Sequence, residues 1–140
     1  MARVLEKKFL VDEQDKSVGV TLPLRKGNNG YFEVSYTTKE QIKSNIKSLL
    51  LTQKGERVMQ PTFGSDLRKC LFEPITQNLD SLIEDSITEA INTWMPYVTV
   101  ESIIYDVNNS LKDMNRIDLE LKYSLKYSNS QTLEQLNIVI

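Results

Sequence analysis

Three carboxylates in the middle of the chain, Glu56, Asp66 and Glu73, could perform acid–base chemistry. Two of them lie in the segment "QKGERVMQPTFGSD" at residues 53–66, which also holds two glycines, a proline and one phenylalanine. A glycosidase needs two such carboxyls at a fixed separation, one of them with a pKa raised by burial. The segment is therefore either a catalytic loop or a connector that matters for its shape.

Neighbouring charges argue against a general acid in this segment. Glu56 is next to Arg57, and basic side chains close in space lower the pKa of a carboxyl group. Two further basic residues lie nearby in the sequence: Lys54 and Arg68. With 19 acidic residues in the chain, such a carboxylate pair is also expected by chance. A glycosidase or lysozyme-like enzyme is therefore kept only as an alternative interpretation.

Composition removes other catalytic classes. The 140 residues are about the size of one domain, with no histidine and one cysteine, Cys70. This excludes an internal disulfide, the usual zinc sites and every His-based triad. A net charge of −2 favours protein partners over nucleic acid or an anionic membrane. We expect no cofactor and no metal.

Hydropathy predicts a soluble protein made in a cytoplasm. No apolar run approaches the roughly 20 residues needed to span a bilayer. The start of the chain, "MARVLEKKFLVDEQDK", lacks the long apolar centre of a signal peptide.

The segment at residues 53–66 can also be explained by shape alone. Gly55 would let the chain leave a helix through a positive-φ turn, and Pro61 would stiffen an extended passage. Gly64 would permit a bend, after which Ser65 or Asp66 could cap a short helix. The apolar residues of that helix would be Leu67, Cys70 and Leu71, and the phenylalanines anchoring the connector to the core would be Phe63 and Phe72.

Two longer helices are predicted on either side of this connector. The first runs from Thr38 to Leu51 with apolar residues on one face, and its capping box pairs Thr38 with Gln41 or Thr37 with Glu40. The second runs from about Thr76 to Met95 and stops before Pro96. Its apolar stripe is Leu79, Leu82, Ile83, Ile87, Ala90, Ile91 and Trp94, and the residues facing away are Asp80, Glu84, Asp85 and Glu89.

The last third of the chain has the period of strands. In "RIDLELKYSLKYS" apolar and aromatic residues alternate with polar ones, which is typical of a strand with one buried face. "VTVESIIYDV" before it and "LEQLNIVI" after it also read as strands. We therefore predict an α+β fold, with two main helices packed on a three-stranded antiparallel meander.

The N-terminal part differs from the rest. Residues 1–37 are predicted to form an arm and a short β segment. In this segment two β-rich runs flank the turn-forming cluster "KGNNG", as a short hairpin or as two loosely packed strands. Residues 38–140 would carry the main fold, and the whole chain would still be one domain.

The block "IKSLLLTQKGERVMQPTFGSDLRKCLFEPIT" resembles the signature of the phage baseplate wedge and tail sheath initiator family of contractile tails. That family includes the small wedge protein of T-even-like phages and the related baseplate component of type VI secretion systems. The shared features are a Thr-x-x-Gly-x-Arg turn, a Pro-x-Phe-Gly bend, and a Leu and a Phe shortly after it. The matching residues are Thr52, Gly55, Arg57, Pro61, Phe63, Gly64, Leu67, Leu71 and Phe72.

The resemblance implies a structural protein, not an enzyme, in the tail baseplate of a virion assembled in the host cytoplasm. It would start sheath assembly by presenting a sheath-like surface to the first sheath ring. The implied partners are the tail sheath protein, other baseplate wedge subunits, and tail tube or hub proteins, with six copies per baseplate. The remaining alternative is a bacterial adaptor of the same fold that binds a regulatory protein.

One motif departs from the family. Many members end the long helix with Glu-Pro-Arg, a motif implicated in docking to other wedge subunits, where this chain has Met95-Pro96-Tyr97. Docking at this place would need apolar and aromatic contacts from Trp94, Met95, Pro96 and Tyr97. Alternatively, Trp94 and Met95 simply complete the core.

The final run is a candidate sheet edge that could accept the strand-like arms of the sheath. Edge strands have unpaired backbone N–H and C=O groups, which a partner strand can use as a template. We hypothesise that the acceptor lies between about Ile117 and Ile140; the alternative is a closing strand covered by the N-terminal arm. The candidate residues are Leu133, Leu136, Asn137, Ile138, Val139 and Ile140.

Overall fold

The computed structural model describes residues 16–28, 30–70, 72, 78–107, 117–126 and 133–139. The chain divides into two compact units between Asn45 and Ile46. The helices are α1 (Thr38–Leu51), α2 (Leu67–Cys70) and α3 (Asn78–Trp94). The strands are β1 (Gly19–Val20), β2 (Val34–Ser35), β3 (Val98–Val107), β4 (Ile117–Leu125) and β5 (Glu134–Val139).

A short hairpin forms in the N-terminal unit. β1 and β2 pair antiparallel, with Gly19 opposite Ser35 and Val20 opposite Val34. The Val18 N–H donates to the Ser35 carbonyl at 2.8 Å, which extends the pairing. The predicted short hairpin is therefore present, although each strand has only two residues and residues 21–33 connect them.

α1 begins and ends where the sequence predicts. Of the two predicted capping pairs, the structure uses Thr37 and Glu40, because the Glu40 N–H donates to Thr37 Oγ1 at 3.2 Å. The Glu40 carboxylate in turn accepts the Tyr36 N–H at 3.4 Å. The predicted apolar face is buried at all four positions, namely Ile42, Ile46, Leu49 and Leu50.

α3 buries five of the seven residues of the predicted stripe; Trp94 is half-buried and Leu82 is exposed. Its buried hydrophobic residues are Leu79, Ile83, Ile87, Ala90 and Ile91. Leu82 is 48% exposed, so its assignment to the core was wrong. It lies about 100° around the helix from Ile83, which places it beyond the edge of the stripe. Ser86 is buried instead, and its hydroxyl accepts the Asp66 N–H at 3.0 Å.

The predicted stop before Pro96 is confirmed. α3 ends at Trp94, and the Met95 N–H still donates to the Ile91 carbonyl at 2.7 Å. The Val98 N–H then donates to the Met95 carbonyl at 2.9 Å, a tight turn that leads directly into β3. Since Pro96 disfavours helical geometry at the preceding residue, the corner between α3 and β3 is set by the sequence.

The C-terminal strands form the predicted antiparallel meander in the order β3-β4-β5. The register pairs Leu121 with Ile103 on one side and with Leu136 on the other. α3 packs against β3, so it covers this sheet as predicted. The alternation of β4 places four side chains in the core: Leu119, Leu121, Tyr123 and Leu125. The fold is α+β, and no helix among the described residues is long and apolar enough to cross a membrane.

Candidate assembly site

Residues 52–66 form a closed loop, called the connector loop below. Its neck is a parallel bridge between Gln53 and Ser65, supported by the Ser65 N–H donating to the Thr52 carbonyl at 2.9 Å. A second closure lies further out, where the Gly55 N–H donates to the Pro61 carbonyl at 2.7 Å. The connector loop is therefore held at two levels by backbone hydrogen bonds.

Both glycines of the connector loop have positive φ, as the sequence predicts for a turn and a bend. Gly55 has φ 92° and open space where a side chain would lie. Gly64 has φ 123°, and a Cβ there would overlap the Thr52 carbonyl oxygen. L-residues rarely adopt either conformation, so glycine is strongly favoured at these two places.

The two phenylalanines of the motif have different environments. The Phe63 ring packs edge-on against Trp94, with centroids 5.1 Å apart, and the Arg57 guanidinium lies 3.8 Å from the Phe63 centroid. Phe63 therefore anchors the connector loop as predicted. Phe72 is 81% exposed, so its predicted anchoring role was wrong. The buried residues of α2, Leu67 and Cys70, share one face, and position 72 lies past the end of that helix.

The carboxylate of Asp66 is part of an ion-pair cluster. Lys69 Nζ lies 2.6 Å from Asp66 Oδ1, and Lys54 Nζ lies 3.2 Å from Asp66 Oδ2 and 3.0 Å from a Glu89 oxygen. The hydrogen bond from Lys69 lowers the pKa of Asp66, and Lys54 adds to this effect. The hydrogen bond to Glu89 raises the pKa of Lys54. Asp66 is thus held ionised, the opposite of what a general acid needs.

Glu56, another of the three candidate carboxylates, bonds within the turn. One oxygen of Glu56 accepts the Gln53 N–H at 3.0 Å, which gives it a local role in the turn. Glu73 lies outside the described residues. Within the part of the chain that the structure describes, no group of three or more potential metal ligands occurs.

The corner after α3 holds the wedge-docking candidates, which stand where many family members have Glu-Pro-Arg. Met95 is only 4% exposed and belongs to the core, whereas Pro96 is exposed and Trp94 and Tyr97 are half-buried. Lys126 braces the corner from the end of β4: its Nζ donates to the Pro96 carbonyl at 2.7 Å and its N–H to the Tyr97 carbonyl at 3.1 Å.

β5 lies at an edge of the three-stranded sheet. Leu136 and Ile138 point into the core, while Asn137 and Val139 lie on the open face. The candidate acceptor was predicted to lie between about 117 and 140. β4 has a paired strand on each side, so β5 is the part of this range that lies at an edge. Leu133, just before β5, is 63% exposed, and Ile140 lies outside the described residues.

Two features of this region were not predicted from the sequence. The first is the ion pair between Lys54 and Glu89, which forms because the connector loop packs beside α3. The spacing of these two residues in the sequence gives no sign that they are in contact. Val58 and Met59 lie at the tip of the connector loop and are 94% and 95% exposed. Two apolar residues inside a stretch bounded by Gly55 and Pro61 were a usable signal, because such turns ordinarily hold polar residues.

Three known proteins illustrate what this chain is similar to. Baseplate wedge protein gp25 of Enterobacteria phage T4 is 28% identical over 97 residues, which span 69% of this chain and 70% of that protein. A Geobacter sulfurreducens protein, provisionally described as a tail lysozyme, is 26% identical with a TM-score of 0.59, covering 71% of this chain and 88% of its own.

The third is a chain of the six-fold symmetrised anti-feeding prophage baseplate, with a TM-score of 0.63 and 21% identity. The match covers 79% of this chain and 86% of that chain, and it is a likeness of fold. The family described as baseplate wedge protein gp25 matches residues 24–130, most of the chain and all of the connector loop. The chain therefore belongs to the gp25 baseplate wedge family of contractile phage tails.

Proposed function

We propose that this protein is a non-enzymatic part of the baseplate wedge and initiates the tail sheath by offering the edge of β5 to an extended arm of the sheath protein. The observation that carries this proposal is the position of β5, which closes the sheet and pairs only with β4 among the described strands. The backbone groups along its outer edge are a template for one further strand.

The two edges of the sheet differ in their fitness for strand addition. β3, the other edge strand, has a register shift between Val100 and Ser102, where Glu101 is the extra residue. The Glu101 carboxylate accepts the Ser124 hydroxyl at 2.7 Å. A bulge bends an edge strand and interrupts regular pairing, whereas β5 pairs with β4 in unbroken register. Among the described strands, β5 therefore has the edge that is better suited to accept a further strand.

The side chains of β5 define what an added strand would need. Positions beside Leu136 and Ile138 would face the core, so every second residue of the arm should be apolar. Positions beside Asn137 and Val139 would face the open side of the sheet. A cavity of about 380 Å³ lies there, with Ile104 and Asn137 in its lining. An arm with alternating apolar and polar residues fits this surface.

A strand-linked initiator can transmit a movement of the baseplate to the sheath. Main-chain hydrogen bonds hold paired strands together as one body, and a flexible arm beyond them absorbs rotation. No cofactor is needed for this step.

Cysteine cross-linking tests the acceptor directly. Val139→Cys, 55% exposed on β5, is combined with single cysteines placed along the arm of the cognate sheath protein. The only native cysteine, Cys70, is buried and should not react. We expect the strongest disulfide at the single arm position opposite residue 139 and weaker ones only two residues to either side, because side chains on one face of a strand lie about 7 Å apart and a disulfide spans no more than that.

Ile104→Cys is the matched control, since this β3 residue is 50% exposed on the same sheet. Cross-links from Ile104→Cys at the same arm positions and with the same yield, or none from Val139→Cys in assembled tails, would contradict the role of β5. Deletion of residues 136–140 would be a poorer test, because it removes Leu136 and Ile138 from the core.

The corner after α3 remains our proposal for a contact with other wedge subunits. Pro96 and the exposed parts of Trp94 and Tyr97 would supply the apolar and aromatic surface of this contact. Met95 is buried in the core and would not take part. Tail tube or hub proteins are further candidate partners. Six copies per baseplate agree with the six-fold symmetry of the anti-feeding prophage assembly.

A lysozyme-like activity is the second candidate, favoured by the description of the Geobacter sulfurreducens protein. The ion pairs of Asp66 with Lys54 and Lys69 oppose it, because they stabilise the ionised carboxylate. We expect purified protein to release no soluble fragments from peptidoglycan. Release that is lost in Asp66→Asn would establish the enzyme instead.

A further inference from the structure

The tip of the connector loop presents two adjacent apolar side chains to solvent. Val58 and Met59 occupy the centre of a turn in which the Gln60 N–H donates to the Arg57 carbonyl at 3.2 Å. Both are more than nine-tenths exposed. Because turn centres ordinarily hold Gly, Pro, Asn, Asp or Ser, and because neither side chain packs in the fold, the pair is free to bind a partner.

The base of the tip is braced. The Gly55 N–H bonds to the Pro61 carbonyl below it, the Arg57 guanidinium stacks over Phe63, and Phe63 packs on Trp94. A tip that is already held in one conformation loses little conformational entropy on binding. The connector loop thus supplies what a binding anchor needs, namely exposed apolar surface on a preorganised support.

The charges next to the tip are occupied within the protein. A Glu56 oxygen accepts the Gln53 N–H, Arg57 lies over Phe63, and Lys54 pairs with acidic side chains behind the tip. Residues 46–140 carry nine basic and thirteen acidic residues, a net charge of −4. An anionic membrane is therefore an unfavourable partner, and a protein surface is favoured.

We propose that the Val58–Met59 tip is an anchor that inserts into an apolar pocket on a different subunit of the baseplate wedge. A methionine and a branched aliphatic side chain suit such a pocket, since methionine adapts to irregular cavities. Two protruding side chains cover far less than the roughly 800 Å² per partner of a standard interface, so the tip acts as the centre of a larger contact. Trp94 contacts Phe63 at the base of the tip and also belongs to the corner at Pro96. The tip is therefore continuous with the corner that we propose as a wedge contact.

The contact is separate from the β5 edge and does not depend on sheath initiation. The test uses fluorescently labelled protein titrated with wedge complexes from cells that express the baseplate genes without the gene for this chain. The double variant Val58→Ser with Met59→Ser should raise the Kd by about tenfold or more, as expected for a hot spot. Leu82→Ser is the matched control: this leucine is 48% exposed on α3, and its Kd should stay within about twofold of wild type.

Met59→Leu should bind like wild type, because it keeps the apolar volume.

An unchanged Kd for the double variant would overturn the proposal. So would a lowered melting temperature of the double variant, which would place the pair in the fold, or wild-type binding to phosphatidylglycerol vesicles that the variant loses. Self-association that disappears in the variant would assign the tip to a second copy instead. The Val139→Cys cross-links to sheath should be unaffected, which separates this contact from the sheath contact.

Discussion

Asp66 shows how single charges in this protein support structure. Its carboxylate contacts Lys69 and Lys54, and Lys54 continues the cluster to Glu89 on α3. The Asp66 carbonyl also accepts the Lys69 N–H at 2.9 Å in the first turn of α2. One residue therefore links the connector loop, α2 and α3.

Asp66→Asn should remove the charge and keep the local backbone contacts. Because the folded-state pKa of Asp66 is lowered, its contribution to stability is present above the unfolded value of about 4 and is lost as pH falls through the folded value. We expect the variant to lower the free energy of unfolding by up to about 1 kcal/mol at pH 7. Urea unfolding at pH 7, 5 and 3 should show the difference shrinking at the lowest pH.

Asp85→Asn on the exposed side of α3 is the control for this experiment. It removes the same charge without touching the cluster. An Asp66→Asn difference that stays constant from pH 7 to pH 3 would show that the ion pairs are not its cause.

Tyr123 is buried, and its hydroxyl has no hydrogen-bond partner among the described residues. Tyr123→Phe should leave the free energy of unfolding unchanged or raise it by about 1 kcal/mol, because an unsatisfied buried hydroxyl is costly. Burial raises the pKa of Tyr123, so wild type should lose stability relative to the variant above about pH 10, where the unfolded tyrosine ionises. Tyr31→Phe, at a 92% exposed position, is the control in urea unfolding at pH 7 and 10.5. A clear loss of stability in Tyr123→Phe at pH 7 would mean that the hydroxyl has a partner.

At the scale of elements, local sequence signals predicted the bounds of helices and strands better than they predicted which residues are in contact. The bounds of α1 and β3 agree with the sequence because a capping residue and Pro96 mark them. Leu82 was misplaced because it lies just outside a buried stripe, where a small difference in angle decides exposure, and Phe72 because it lies past the end of α2. The Lys54–Glu89 ion pair joins residues whose proximity depends on the folded connector loop, and periodicity carries no information about it.

The connector loop is the element that depends most on particular residues. Gly64→Ala should lower the free energy of unfolding by about 2 kcal/mol or more, because a Cβ would overlap the Thr52 carbonyl at a positive φ. Gly55→Ala adds only the backbone strain, since its surroundings are open, and should cost about 1 kcal/mol. Gly30→Ala, at an open position without positive φ, should be neutral. Chemical denaturation of the three variants would rank them, and an equal effect at positions 55 and 64 would contradict the role of the overlap.

At the scale of the whole molecule, the two compact units differ in how much core they contain. Among the described residues, every buried hydrophobic side chain except Ile42 belongs to residues 46–140. The N-terminal unit instead exposes several large apolar residues, of which Tyr31 and Leu24 are the most exposed at 92% and 61%. The burial that drives folding is therefore concentrated in one unit.

A fragment of residues 37–140 should fold without the preceding segment. It keeps Thr37, whose hydroxyl caps α1, and it keeps Ile42 with the whole core of residues 46–140. We expect a cooperative urea transition, because the cooperative loss of a packed core is what gives a single domain its two-state unfolding. The fragment should also retain the Val139→Cys cross-links to the sheath arm if β5 alone is the acceptor. A gradual, non-cooperative transition would show that residues 1–36 are needed for the core. Cooperative folding without cross-links would instead place part of the sheath contact in residues 1–36.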